Sequence, residues 1–251
     1  MRTSRVPWLV LLRGCGRSFL HQASWNFERM QNLGFCYQLL PGLRRLYGAA
    51  PPADVLLRYT AYFNTHPFLA PWVAGTTLRL EEQRLAGATT PVDGVDFQQM
   101  VMAPYAAIGD ALFWGALRPL AAVVGLFLAV QGIAWAPLVM LALFNVPHLL
   151  CRCCGWLLGY LQGLNSAETL QRLRLPDVAI WLKEGTIILL GVICAMLAVR
   201  GCELQELDVL WGLVLLPVVL LFAGLARRGV TSFAMLVITS VSLLGLALAN
   251  Q

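Results

Sequence analysis

The stretch Tyr62–Arg84, YFNTHPFLAPWVAGTTLRLEEQR, gathers an amide, a hydroxyl, an imidazole and two adjacent carboxylates in one short run. Pro67 and Pro71 follow the polar triplet Asn64, Thr65, His66. Each proline removes a backbone donor and drives the residue before it out of the α region. The triplet is therefore expected on a turning backbone, ahead of a helix carrying Thr77, Glu81, Glu82, Gln83 and Arg84. Thr77 and Glu81 are four apart and Glu81 and Arg84 three apart, so they share a helix face. A broken backbone beside carboxylates is how a membrane transporter builds a polar site away from water. The other reading is a soluble loop followed by a capped surface helix.

The rest of the chain bears on that choice. Of its 251 residues 59% are hydrophobic and 12% charged, against about 25% charged in soluble domains. The expected class is an all-α integral membrane protein, with several transmembrane helices plus discontinuous or re-entrant and amphipathic ones. Net charge is +5, and Lys183 is the only lysine. Arginine-rich loops fit the positive-inside rule, and no aromatic-rich platform or helix-turn-helix suggests nucleic acid. The seven cysteines have neither disulfide-framework nor zinc-site spacing. Cys151, Cys153 and Cys154, with only His148 near, read as structural thiols, so no metal and no cofactor is expected.

Residues 6–12 are apolar but flanked by Arg2, Arg5, Arg13 and Arg17. That run is too short to span a membrane and reads as an interfacial start on the cytoplasmic side. Residues 17–47 read as an amphipathic helix, with Trp25, Arg29 and Asn32 at helical spacing and an interruption at Pro41-Gly42. Asp54 is a candidate N-cap for a helix ending near Phe63. Residues 101–119 read as an apolar segment broken at Gly109-Asp110, either a discontinuous helix with a charge at its break or an ordinary capped turn. The 31 uncharged residues from Leu120 to Leu150 are too long for one span. Gln131-Gly132 and Pro137 divide them into two helices. Gly155, Gly159 and Gly163 form a small-residue stripe for close helix approach.

Residues 164–177 read as a polar loop, followed by spans near 178–199, 209–226 and 230–249. Arginine counts place 164–177 and 227–228 inside, and the acidic loop of Glu203, Glu206 and Asp208 and the C-terminus outside. Lys183 and Glu184 mark the cytoplasmic end of the first of these spans, with Lys183 snorkelling. Two regions follow: 1–116, which carries the polar motifs, and 117–251, which carries the spanning helices.

Several motifs together resemble the IID component of the mannose/fructose/sorbose family of the bacterial sugar phosphotransferase system. They are RSFLHQ (Arg17–Gln22), SWNFERMQN (Ser24–Asn32), FNTHP (Phe63–Pro67), EEQ (Glu81–Gln83) and GDALFWGALRP (Gly109–Pro119). GYLQG (Gly159–Gly163) and Lys183-Glu184-Gly185 also fit. Each motif is modest, but their shared order over nearly the whole chain is specific. The resemblance implies a multi-pass subunit of the bacterial inner membrane, paired with a IIC subunit in a hetero-oligomer. Separate IIA and IIB phosphocarriers would phosphorylate the sugar as it enters, so no catalytic residue is expected here. Ala103, Tyr105 and Ala107 stand where the family usually has glycine, leucine and glycine. A stiffer loop is expected there, which leaves room for a narrower substrate or a sensing role.

A sugar site needs planar amides and carboxylates for hydroxyl pairs and an aromatic face for the C–H side of the ring. Asn64, Thr65, His66, Glu81, Glu82 and Gln83 supply the polar half, with Asp110 at the second motif. Trp25 and Trp114 are candidate faces. Gln22 and Trp25 have packing against a partner as an alternative role. One of Glu81 and Glu82 is expected to pair with Arg79 or Arg84 and the other to face the cavity. His21 and His148 read as structural. An intramembrane hydrolase built on Ser24 and His21 lacks an oxyanion loop. A membrane adaptor without transport activity is the remaining alternative.

Overall fold

The computed structural model describes residues 6–206 and 208–249, and among these the chain is helical with no strand. Arg2, Arg5 and Gln251 lie outside the described residues. Among the described residues three helical stretches are long and apolar enough to cross a membrane: Gly94–Val130, Ala136–Gln162 and Asn165–Leu204. The chain divides into two compact units, one ending at Leu189 and the other beginning at Leu190.

The first unit opens with α1 (Trp8–Arg17) and a single 3-10 turn, Ser18–Leu20. The helix expected over 17–47 is interrupted, because residues 21–31 fold into a loop before α2 (Asn32–Tyr47). The Asn26 amide oxygen accepts the main-chain N–H of Arg29, Asn26 and Met30 pair through both main-chain groups, and Met30 takes φ +57°. An asparagine that satisfies nearby backbone donors itself competes with helix formation. Pro41, expected to interrupt α2, lies within it. A proline there leaves the carbonyl four residues earlier without a partner. That carbonyl, on Tyr37, accepts Arg17 Nη1 at 3.1 Å.

α3 (Ala53–Arg58) is shorter than expected, and its N-cap is Pro52, with Asp54 in the first turn. α4 (Ala70–Leu85) starts with Pro71 in its first turn, where a missing N–H costs nothing. α5 (Gly94–Gly109) is capped by Asp93, whose carboxylate accepts the N–H groups of Val95 and Asp96 at 2.8 Å.

The break expected at Gly109-Asp110 is absent. Both residues are helical, and α5 runs through a π-helical stretch, Asp110–Leu117, into α6 (Arg118–Val130). Asp110 caps nothing. Ala103, Tyr105 and Ala107 lie within α5, where alanine is a better helix former than glycine, so no loop is stiffened. Gly132, at φ +77°, turns the chain into α7 (Ala136–Gln162), giving the two helices expected between 120 and 150.

α4 and α7 form the central pair. Gly155 and Gly159 of α7 lie against Trp72 and Thr76 of α4, and Gly75 of α4 lies against the main chain of Trp156 and Tyr160. The expected glycine stripe thus lets two backbones meet. Trp156 donates to Leu11 O at 2.8 Å, so α1 is pinned to the same pair. Phe35, Leu39, Leu43, Leu69, Trp72, Leu78, Trp156 and Tyr160 form the core. Residues 165–172, expected as loop, form α8, and Thr76 meets Ser166 there at 2.7 Å. α9 (Leu175–Leu204) begins in this unit. Lys183 is exposed, with its ammonium beside Gly115 of the π-helical stretch.

The second unit holds the rest of α9, a 3-10 segment (Val209–Val214), α10 (Leu215–Arg227) and α11 (Ser232–Ala249). Leu216, Leu220, Phe233, Leu236 and Leu244 are exposed on it. Apolar surface on this scale needs lipid or a protein partner against it.

Candidate functional site

The FNTHP run is held by main-chain pairing. Phe63 O accepts Gln31 N at 2.9 Å, and His66 O accepts the N–H groups of Leu69 and Ala70 at 2.9 Å, which caps the start of α4. Both prolines are thereby placed where no donor is missed. The loop of residues 21–31 lies alongside, tied further by Asn32, whose amide donates to Thr60 O at 2.7 Å.

The His66 ring rests on Gly109, where there is no room for a Cβ. It stacks on Phe113 at 5.1 Å and 17°, with Phe68 and Trp114 at 4.9 and 5.3 Å. Its Nδ1 accepts the Phe68 N–H at 3.3 Å, so the proton of the neutral ring sits on Nε2. Nε2 has no hydrogen-bond partner among the described residues and lies 4.0 Å from Asp110 Oδ1. Burial, then the charges of Arg152 and His148, push the His66 pKa down to about 4. The ring is a neutral donor at physiological pH.

A cleft of about 200 Å³ opens in front of it, lined by Gln22, Trp25, Gln31, Asn64, Thr65, His66, Pro67, Ala106, Asp110 and Trp114. Seven of the ten residues singled out in the sequence meet here, from three separate stretches. Three amides, a carboxylate, a hydroxyl, a neutral imidazole and two indoles are a lining suited to a polyhydroxylated ring. Enclosed ligand sites usually begin near roughly 300 Å³, so this cleft has the size of part of a site.

Glu81, Glu82 and Gln83 lie elsewhere. Glu81 is 1% exposed and accepts from Tyr59 at 2.7 Å, Arg84 at 2.9 Å, Arg58 at 3.3 Å and Tyr47. Burial alone would raise its pKa, but the hydrogen bonds from Arg84, Tyr47 and Tyr59 and the Arg58 charge hold it below the ordinary value. Glu82 pairs with Arg79 at 2.6 Å and accepts from Tyr160 at 3.0 Å. Both carboxylates are thus engaged in ion pairs and neither lines the cleft; Gln83 is half-buried on the same helix.

Sequence reasoning passed over Gln31, which is 3% exposed and lines the cleft. It lies inside the SWNFERMQN motif, and reading that stretch as a helix hid its direction. Among the described residues no three His, Cys, Asp or Glu side chains cluster as a metal site.

A family profile described as the PTS system mannose/fructose/sorbose family IID component matches residues 11–249. The mannose-specific EIID component of Escherichia coli K12 is 42% identical over 155 residues, 61% of this chain and 55% of that protein. The sorbose-specific EIID component of Klebsiella pneumoniae is 39% identical over 151 residues, 59% of this chain and 55% of that one. The fructose permease IID component of Bacillus subtilis is 35% identical over 177 residues, 69% and 62% of the two chains. The matched stretch thus spans little more than half the length of these relatives. Among solved structures, one titled only as a membrane protein superposes with TM-score 0.70 at 30% identity, covering 97% of both chains. A chain of the mannose transporter ManYZ in complex with microcin E492 superposes with TM-score 0.58 at 28% identity, covering 97% of this chain and 96% of that one.

Proposed function

The chain belongs to the mannose/fructose/sorbose IID family of the bacterial phosphotransferase system, and we propose that it is the IID subunit of a sugar permease. In this reading it pairs with a IIC subunit in the inner membrane, and its cleft supplies half of a hexose site. The sugar is phosphorylated by IIB, charged in turn by IIA, as it enters. The ManYZ likeness supports a membrane hetero-oligomer, and the names of the relatives support a hexose or related sugar.

The observation that carries the proposal is the convergence of Gln22, Trp25, Asn64, Thr65, His66, Asp110 and Trp114 on one polar, partly open cleft. Asn64 and Gln22 bind hydroxyl pairs, Trp25 and Trp114 cover the C–H face, and Asp110 and His66 Nε2 accept from and donate to single hydroxyls. Glu81 and Glu82 act at a distance by locking α4. Residues 1–116 contribute the cleft and 117–251 the spanning scaffold, although the helix Gly94–Val130 crosses that line. Positive-inside counting sets the N-terminus in the cytoplasm and the C-terminus outside.

The test is sugar binding and uptake by the IIC-containing complex carrying Asn64→Ala or Trp114→Ala. Lost binding with an intact complex supports the proposal. Unchanged uptake from both variants makes the chain an adaptor instead.

A further inference from the structure

We propose that His21, which lies outside the cleft, is a positioning residue that sets the cleft's shape through the side chain of Gln31. The inference rests on the cleft being the sugar site and adds a residue that touches no sugar.

The Gln31 side chain lies against the main chain of Thr65 as a neighbouring strand would. Its Nε2 donates to Thr65 O at 2.8 Å, and its Oε1 accepts Thr65 N at 3.1 Å. A main-chain N–H only donates and a carbonyl only accepts. The orientation of the amide is therefore fixed by its partner. The same Oε1 lies 3.2 Å from His21 Nε2. That nitrogen must then carry the proton, and His21 is locked as the Nε2–H tautomer.

Surroundings enforce the neutral form. His21 is 1% exposed, with its edge against Phe35 and Phe63, and its Nδ1 has no partner. Burial pushes its pKa down to about 4 against the effect of the Gln31 bond, and the nearby Arg152 charge adds to the fall. Arg152 itself is 6% exposed and donates to Ser18 O. Arg152 and the His21 main-chain N–H share the Ser18 carbonyl, and from the His21 ring the contacts run through Gln31 to the peptide groups of Thr65. Asn64 and His66, on either side of Thr65, take their directions from that peptide. Without the His21 donor, Gln31 keeps only its two bonds to Thr65 and loses the anchor that ties that pair to the core, so the Gln31–Thr65 unit can shift as one piece.

The tautomer is tested first, by ring-nitrogen NMR of the intact complex. The chain has three histidines, assigned by the variants His21→Gln and His66→Gln. A neutral Nε2–H signal for His21 at pH 7 supports the relay; an Nδ1–H ring or an imidazolium overturns it. Uptake kinetics follow. Phenylalanine fills the same aromatic niche without a donor, so His21→Phe is expected to raise the sugar KM about three- to tenfold at little changed maximal rate. His21→Gln, which returns an N–H near the same point, is expected to recover within about twofold of wild type. A wild-type KM in His21→Phe, alongside a damaged Asn64→Ala, overturns the relay and leaves the cleft standing. Normal behaviour of Asn64→Ala overturns the cleft reading, and the spectra still decide the tautomer. If His21→Gln fails to assemble, the His21 signal is the one that persists in both His66→Gln and His148→Gln, and its tautomer decides.

Discussion

Gly109 lies directly beneath the imidazole of His66, and the two are too close for any Cβ between them. Alanine at this position favours the helix by about 1 kcal/mol, while overpacking against the ring costs about 1–3 kcal/mol. Gly109→Ala is therefore expected to lower the thermal stability of the complex by up to about 2 kcal/mol, the overpacking less the helix gain. The ring is displaced from Phe113 and toward the cleft, and sugar affinity falls. Thermal unfolding and equilibrium sugar binding on the same preparation check this, and an unaltered affinity would show that His66 need not lie where it does.

Glu81 is the hub of α2, α3 and α4, taking donors from Tyr47, Arg58, Tyr59 and Arg84. Glu81→Gln keeps the shape but removes the charge, leaving two part-exposed arginines without their carboxylate. The expected loss is about 1–3 kcal/mol of stability. Its folded pKa is below the ordinary 4.5, so its contribution is complete above that value and is lost as acidification passes through the lower folded value. A melting temperature measured from pH 7 to pH 3 should fall more steeply in wild type than in Glu81→Gln. Sugar affinity per folded complex should be the same in both.

His66 and His21 both have folded pKa values of about 4 against an ordinary 6.5. Between those values the unfolded chain takes up protons that the folded chain refuses. Stability contributed by the neutral rings is therefore full above about pH 6.5 and declines as the pH falls toward 4. His66→Gln, which does not titrate, should flatten part of that decline in a pH series of thermal unfolding. Sugar binding by folded wild-type complex should stay level down to about pH 5, because the donor at Nε2 remains in place.

The helices with strong signals were legible in the sequence. Gln131-Gly132 and Pro137 separated α6 from α7, and the glycine stripe of α7 announced a close neighbour, although only the structure names α4. Failures came where local polarity imitated helical spacing. Trp25, Arg29 and Asn32 fit a helix on paper, yet the Asn26 side chain takes the Arg29 N–H and its main chain pairs with Met30, which folds the stretch into a loop. The grouping of EEQ with FNTHP failed for a different reason. Glu81 is separated from His66 by most of α4, and the eleven residue steps from Ala70 to Glu81 at 1.5 Å each carry it roughly 16 Å along the axis. Proximity along the chain suggested one polar site where the helix builds two. Asp110 shows the reverse case, since it is distant in sequence and reaches the cleft because its helix widens instead of ending.

The π-helical stretch Asp110–Leu117 winds one more residue into its turns than an α-helix would hold. Restoring regular winding would spin everything after it by about 100° about the axis. Arg118, whose guanidinium lies 5.2 Å from the Trp114 ring centre, would be carried round with α6 and away from an indole that walls the cleft. The bulge therefore sets the angle at which the membrane-length helix behind it leaves the Asp110 carboxylate of the cleft.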